Sequence, residues 1–409
     1  MKKPFLALAV LSTFAVAAQA QTNVTIGGIV QANVKNYQVG NSTRSTSNEL
    51  RIDDDYTSRF WLTGTEDIGG GNSAIFYIQN RFNTDVNNIQ GDGNGLANGD
   101  TWVGLKGGWG QATIGKHTMM AGEGVVTEYG ANGIPAIPAS MFATNSVLGF
   151  VGSQNLTHTR VANSILYRSP SFSGFSGSIG FGASGANGNE GNLACSGTGL
   201  TSIVSNATVT ATATATCPTV ATAGSTDYSN GHQLFLKGGY ANGPIYVNLA
   251  YWKTQFEGRP VAVTAGNADQ SQVRLSASYT LPGGFKIGAQ YDRATLANVG
   301  RTATVAGVDR TRTAWEIPAS YTFGPNTILA SYTRAGDQSG VANSGSKMYV
   351  LGYDYAFSKR TNVGVYYSKL SNDAAATYQP YKTGTSSNGS TLLAGESASI
   401  LAFGVKHTF

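Results

Sequence analysis

Charge of either sign is scarce in this chain of 409 residues, at 12% Asp, Glu, Lys and Arg. The formal balance is 27 basic against 22 acidic side chains, or +5. Two of the bases, Lys2 and Lys3, sit in an N-terminal leader, and without them the balance is 25 against 22, or +3. So weak a surplus excludes a nucleic-acid partner argued from charge. Long apolar runs are missing too: no stretch reaches the roughly 18 residues of a membrane-spanning helix. Past the leader, no segment of useful length has helical periodicity. Histidine is limited to His117, His158, His232 and His407, and no Ser-His-Asp grouping stands out. His117 and His158 flank one long loop, but two imidazoles alone are a weak metal or base signal. There is no phosphate-binding glycine loop. The expectation is a protein that is not an enzyme and carries no cofactor or metal. Cysteine is limited to Cys195 and Cys217. Both lie in a low-complexity stretch, and the sequence leaves open whether they form a loop disulfide or stay as two thiols.

What is present begins with MKKPFLALAVLSTFAVAAQA at residues 1–20. Two lysines, an apolar core and the small-x-small end Ala18-Gln19-Ala20 mark a secretory signal peptide. Residues 21–409 then form a single exported domain. Within it, apolar and polar residues alternate in run after run. NVTIGGIVQANV places Val24, Ile26, Val30, Ala32 and Val34 on one side, with Gln31 and Asn33 on the other. SAIFYIQNRF sets Phe76, Ile78 and Phe82 against Tyr77, Gln79 and Arg81. Strict alternation marks strands with one apolar and one polar face. Sixteen such runs are read between residues 23 and 409, the second of them spanning 49–66.

The connections alternate as well. Short turns rich in Gly, Pro and Asn, such as DIGGGN and KGGWGQ, take turns with long polar loops. Two of these are 119–156 and 186–229. Sixteen strands of this length are too many for one soluble sandwich. An even strand count with short turns at one rim and long loops at the other is the signature of a transmembrane barrel, apolar outside and polar within. In lipid every backbone N–H and C=O must be paired, and closing the sheet removes the free edges. The fold expected is therefore all-β, a sixteen-stranded antiparallel transmembrane β-barrel. The terminal run ASILAFGVKHTF would pair with the first strand, leaving Phe409 at the membrane boundary where aromatic girdles sit.

Several stretches carry a family resemblance: SRFWLTGTEDIGGGNSAIFYIQNRFN, WVGLKGGWGQATIGKH, RVANSILYRSPSFSGFSG and the terminal FGVKHTF. With them the chain resembles the trimeric, sixteen-stranded general diffusion porins of Gram-negative outer membranes over nearly its whole length. The cysteine-bearing stretch from about 190 to 228 departs from the family pattern. The resemblance implies a homotrimer in the bacterial outer membrane, in contact with its lipid and lipopolysaccharide. It also implies recognition of Phe409 by barrel assembly machinery, and an inward fold of the third loop, 119–156, that narrows the lumen.

Charges around that loop are asymmetric. Between Lys116 and Arg160 there is no base, and the only acids are Glu123 and Glu128. Alternation directs Arg59, Arg81 and Arg160 inward, opposite Phe60, Leu62, Val161 and Ile165. In the resembled family a basic ladder on the wall faces acids on this loop, and Arg59, Lys116 and Arg160 match it through SRF, IGKH and RVAN. Simple alternation instead pairs Lys116 with Ala112 and Ile114; motif and parity disagree there, and the motif is preferred. Rings of charge bias which ions pass, so the function expected is passive diffusion of small hydrophilic solutes and ions with a weak anion preference. The alternatives are a channel selective for one substrate, or an adhesin or receptor barrel working through the 186–229 loop. Arg274 and Arg312 also face inward by alternation, without motif support.

Overall fold

The computed structural model describes residues 23–42, 48–53, 58–82, 84, 96–119, 160–183, 232–255, 269–299, 308–378 and 392–409. The expected leader, Glu123, Glu128, Cys195 and Cys217 lie outside them. The described chain is built of β-segments. The first are β1 (Asn23–Gly40), β2 (Asn48–Asp53), β3 (Arg59–Gly69), β4 (Asn72–Arg81), β5 (Thr101–Gly107) and β6 (Gly110–Thr118). Then come β7 (Arg160–Arg168), β8 (Phe175–Gly182), β9 (His232–Asn242), β10 (Ile245–Gln255), β11 (Asp269–Thr280) and β12 (Phe285–Val299). The last are β13 (Val308–Phe323), β14 (Asn326–Ala335), β15 (Ser346–Ala356), β16 (Thr361–Asn372) and β17 (Ser397–Thr408).

Each segment pairs antiparallel with its sequence neighbour, and β17 returns to β1 in a register running from Ile29↔Thr408 to Gly40↔Ser397. The sheet is closed. The chain's last residue takes part: Phe409 and Gly28 exchange both backbone hydrogen bonds at 3.0 Å. The Phe409 ring lies over Gly28, where an added Cβ would stand 2.2 Å from the ring. Glycine is required there because the aromatic ring occupies the side-chain space.

Seventeen segments make sixteen places on the circumference, because β2 and β3 share one. Both pair with β1, β2 along 33–38 and β3 along 23–29. The expected run 49–66 is divided because the register slips: Asp53 faces Asn33 while Arg59 faces Ile29. Ser58 mends the ladder at the slip. Its hydroxyl accepts from the Gln31 N–H at 3.1 Å and donates to the Gln31 carbonyl at 3.2 Å. Both backbone groups of Gln31 are thereby satisfied where a strand partner is displaced.

The alternation read from sequence is realised in space. Ile26 is 67% exposed, Val103 61% and Leu401 53%, all on the outer side, whereas Gln31 and Asn33 on the inner side are each 1% exposed. Tyr279, Tyr291, Tyr321, Tyr332 and Tyr367 all stand on the outer side, as an aromatic belt requires. At the β3–β4 turn, Gly69, Gly70 and Gly71 take φ of 86°, 63° and 74°. Three consecutive left-handed residues are accessible without strain only to glycine, and Asp67 Oδ1 holds the turn by accepting from Gly69 N at 2.8 Å.

One feature of the interior was not expected. The segments that follow β16 and precede β17 turn inward: Ala376, Tyr378 and Leu392 are buried with Met348, Leu370, Ala398 and Ala314 of the inner wall. Asn372 clamps this turn, with Nδ2 donating to the Tyr378 carbonyl at 2.9 Å and Oδ1 accepting from Tyr378 N at 3.1 Å.

Candidate functional site on the inner wall

The inner faces of β1 to β4 bring four cations together. Arg59 and Arg81 lie directly opposite one another on β3 and β4, and Lys35 and Arg51 do so on β1 and β2. All four are buried against the interior. Like charges in directly opposed positions destabilise a strand pair, so the arrangement opposes stability and points to a role in the lumen. Arg51 is steadied from two sides: its Nη2 lies 2.5 Å from Glu49 Oε2, and its guanidinium stands 4.6 Å from the Tyr37 ring centroid.

The backbone beneath the arginines is held by side chains acting as strand partners. Above the paired part of β4 and β5, Asn98 Oδ1 accepts from Arg81 N at 2.7 Å and its Nδ2 donates to the Arg81 carbonyl at 3.0 Å. Ser58, described above, does the same work one residue before Arg59. Along the wall, Tyr77 stacks on Trp102 at 5.5 Å between centroids, and Trp102 on His117 at 6.3 Å. Gln79 Nε2 donates to the Tyr77 hydroxyl at 2.9 Å. Trp61 stands beside Gly27, whose absent side chain leaves its indole room.

Of the residues singled out by sequence, Arg59 and Arg81 are brought side by side. Lys116 is not brought to them. It pairs with Thr101, follows Ile114 on the outer side of β6, and its ammonium donates to the Ala97 carbonyl at 3.1 Å. β5 and β6 keep one register throughout. The count that directed Arg160 inward breaks instead. A β-bulge lies between the Gly115–Ser164 and His117–Val161 pairs, with Asn163 at φ 49°. Val161, expected toward lipid, is 1% exposed inside the barrel. Arg160 faces Thr118 in the backbone register, and its side chain lies outside the described set. His117 knits this bulge: Nε2 is 2.9 Å from Thr113 Oγ1 and Nδ1 is 2.7 Å from Ser164 Oγ. Lys35 and Arg51 were missed, although the signal for Lys35 was available. It lies two residues beyond Asn33 on the polar side of the first strand.

A sequence model of the Gram-negative porin family matches residues 7–375. The chain belongs to that family. An outer membrane porin protein of Bordetella pertussis is 28% identical over 91% of this chain and 95% of its own. Outer membrane porin protein 32 of Delftia acidovorans is 26% identical over the full length of both. Among solved structures, the anion-selective porin from Comamonas acidovorans shares the fold at TM-score 0.61 and 21% identity, over 95% of this chain and all of that one. OmpT of Vibrio cholerae does so at TM-score 0.60 and 13% identity, over 96% of this chain and all of that one. The protein is a porin of the bacterial outer membrane, crossing it as a closed barrel.

The porin's other wall is built differently. Arg274 on β11 donates from Nε to Asp292 Oδ2 on β12 at 3.0 Å, with the two side chains 4% and 0% exposed. Gln272 Nε2 donates to the same oxygen at 2.5 Å, and Gln290 Nε2 donates to Glu316 Oε2 at 2.7 Å. Arg312 on β13 donates from Nη1 to the Tyr378 hydroxyl at 2.6 Å. Burial raises the pKa of that phenol, and the neighbouring Arg312 charge offsets part of the rise. Tyr378 therefore stays a neutral acceptor for the guanidinium at physiological pH.

Proposed function

We propose that this porin forms a water-filled channel for passive diffusion of small hydrophilic solutes and ions, with a preference for anions. The observation that carries the reading is the pair of opposed cations Arg59–Arg81, with Lys35–Arg51 beside it, on one inner wall. Such a wall raises the local concentration of anions and slows cations by repulsion. On the opposite wall Asp292 is paired with Arg274, so that pair offsets this field little. A solved relative of the same fold is named an anion-selective porin, in keeping with the sign.

Glu123 and Glu128 of the third loop, 119–156, are the acids proposed to act with this wall; both lie outside the described residues. Arg160 contributes from the root of that loop. The working unit is a homotrimer; one structural neighbour is described in a trimer form. Phe409, seated on Gly28, is the assembly signal, since closure of the barrel depends on this last residue. Planar-bilayer recording in a KCl gradient tests the reading. Conductance steps in groups of three and a reversal potential on the anion side are expected; a zero or cation-side potential would overturn the preference.

A further inference from the structure

We propose that the porin binds the phosphorylated headgroup of an outer-leaflet glycolipid on its outward face, through a cluster of bases across β12 to β16. This surface points away from the lumen and is independent of what passes through it.

On four strands a base stands two residues nearer the long-loop rim than an outward tyrosine. The pairs are Tyr291 with Arg293 on β12, Tyr332 with Arg334 on β14, Tyr349 with Lys347 on β15 and Tyr367 with Lys369 on β16. The order reverses on β15, as it must where the strand runs the other way. All four tyrosines are exposed on the outer side, where a phenol marks the boundary between acyl chains and headgroups. Two residues of strand add about 7 Å, which carries each base from that boundary into the headgroup layer. Arg293 and Lys347 are exposed, with Arg334 and Lys369 half-buried beside them.

The bases also lie close together. Lys347 faces Arg334 across β14 and β15. Lys369, which faces Tyr349, is the diagonal neighbour of Lys347 on β16, about 7–8 Å away. Arg293 flanks the group from β12, facing Thr313 while Arg334 faces Trp315. Like charges directly opposed weaken a strand pair, so the Arg334–Lys347 pair opposes stability and points to a partner outside the chain. Among the described residues, Arg293, Lys347 and Lys369 form no hydrogen bond or ion pair. Arg334 is bonded from Nη2 to Asp373 Oδ2 at 3.0 Å, so four bases against that one acid leave +3. Asp337 is turned to its own loop, accepting from Asn343 N at 3.1 Å and Gly345 N at 2.8 Å. Asp309 stands four residues beyond Thr313 on β13, about 13 Å nearer the rim. Basic clusters at the membrane surface bind anionic headgroups. Lysine takes a phosphate as a point charge, arginine as a bidentate partner. A patch of this charge favours a headgroup with more than one phosphate over a zwitterionic one.

Purified full-length porin in detergent is titrated with fluorescent bisphosphorylated lipid A and, in parallel, with the same lipid freed of its phosphates. Saturable binding about tenfold tighter for the phosphorylated form is expected. Lys347→Gln and Lys369→Gln should each raise its half-saturating concentration about fivefold, and the two together about twentyfold. Lys359→Gln, which removes an exposed base from the short turn after β15 at the other rim, should leave it unchanged. The reversal potential in a salt gradient should stay at the wild-type value, because Lys347 and Lys369 face away from the lumen. Equal affinity for the two lipids, or wild-type affinity in the double variant, would overturn the site. So would an equal loss in Lys359→Gln, which would signify only the general field. Complete displacement of the lipid by inorganic phosphate would make the ligand a soluble anion, and a displaced reversal potential would place the bases in the lumen; either result overturns the site. Lys369→Gln keeps the test decisive if Lys347→Gln assembles poorly.

Discussion

The two inner walls of this porin use the same side chains to opposite ends. On β1 to β4, arginine and lysine face one another in register, Arg59 across from Arg81 and Lys35 across from Arg51. There Arg51 alone is shown with a carboxylate, Glu49; on β11 to β13, Arg274 meets Asp292 and Arg312 the Tyr378 hydroxyl. The first arrangement is locally unfavourable and generates a field across the lumen. The second pairs Arg274 with Asp292 and ties strands to each other and to the inward turn after β16. In the proposed reading, one wall acts on what passes through the barrel and the other holds it together.

The comparison can be broken most forcefully at Asp292. Asp292→Asn leaves Arg274 buried beside a neutral amide, and loss of one partner of a buried pair costs about 3–5 kcal/mol. Heat-modifiable migration of the barrel should be lost at a markedly lower temperature. Migration unchanged from the wild type would erase the distinction. Asn98→Ala comes next. It removes both side-chain bonds to the Arg81 backbone, at about 1–3 kcal/mol. A modest stability loss should accompany a partial loss of anion preference, because Arg81 is no longer held in place; unaltered preference would show that Arg81 needs no such support.

Smaller in energy, though central to function, is the double change Arg59→Gln with Arg81→Gln. A tenfold salt gradient permits about 59 mV for a monovalent ion, and a movement on the order of 10–20 mV toward the cation side is expected. No movement would remove the β1–β4 wall from the selectivity of the channel. The smallest effect sharpens the contrast. Replacing both partners, Arg274→Gln with Asp292→Asn, should shift the same potential by only a few mV, roughly a fifth of that value, since the two charges already offset each other. If it matched the Arg59 and Arg81 variant, compensation would be the wrong account of the second wall.

Much of the fold was legible because a two-residue period is written directly in the chain. The side of the sheet taken by Arg59, Arg81, Arg274 and Leu401 follows from counting to the nearest apolar neighbour. Counting fails wherever the backbone inserts or displaces a residue. It failed between Val161 and Ser164, where a bulge turns Val161 inward, and within the run 49–66, where the register against β1 slips. Neither Ser58 nor Asn98 could be singled out, because a serine or asparagine before a strand reads as ordinary turn chemistry. Their work appears only once the strand ladders on one side of Gln31 and of Arg81 are seen to stop short of them.

What the sequence determined by itself is the closed, outward-apolar barrel and the identity of its last strand. Alternation and the lipid's intolerance of unpaired backbone leave one solution. Which charges meet is another matter. That Arg59 faces Arg81, that Arg274 faces Asp292, and that Tyr378 turns inward to reach Arg312 depend on register and loop packing. Those are relations between residues far apart in the chain, and only the closed sheet brings them within bonding distance.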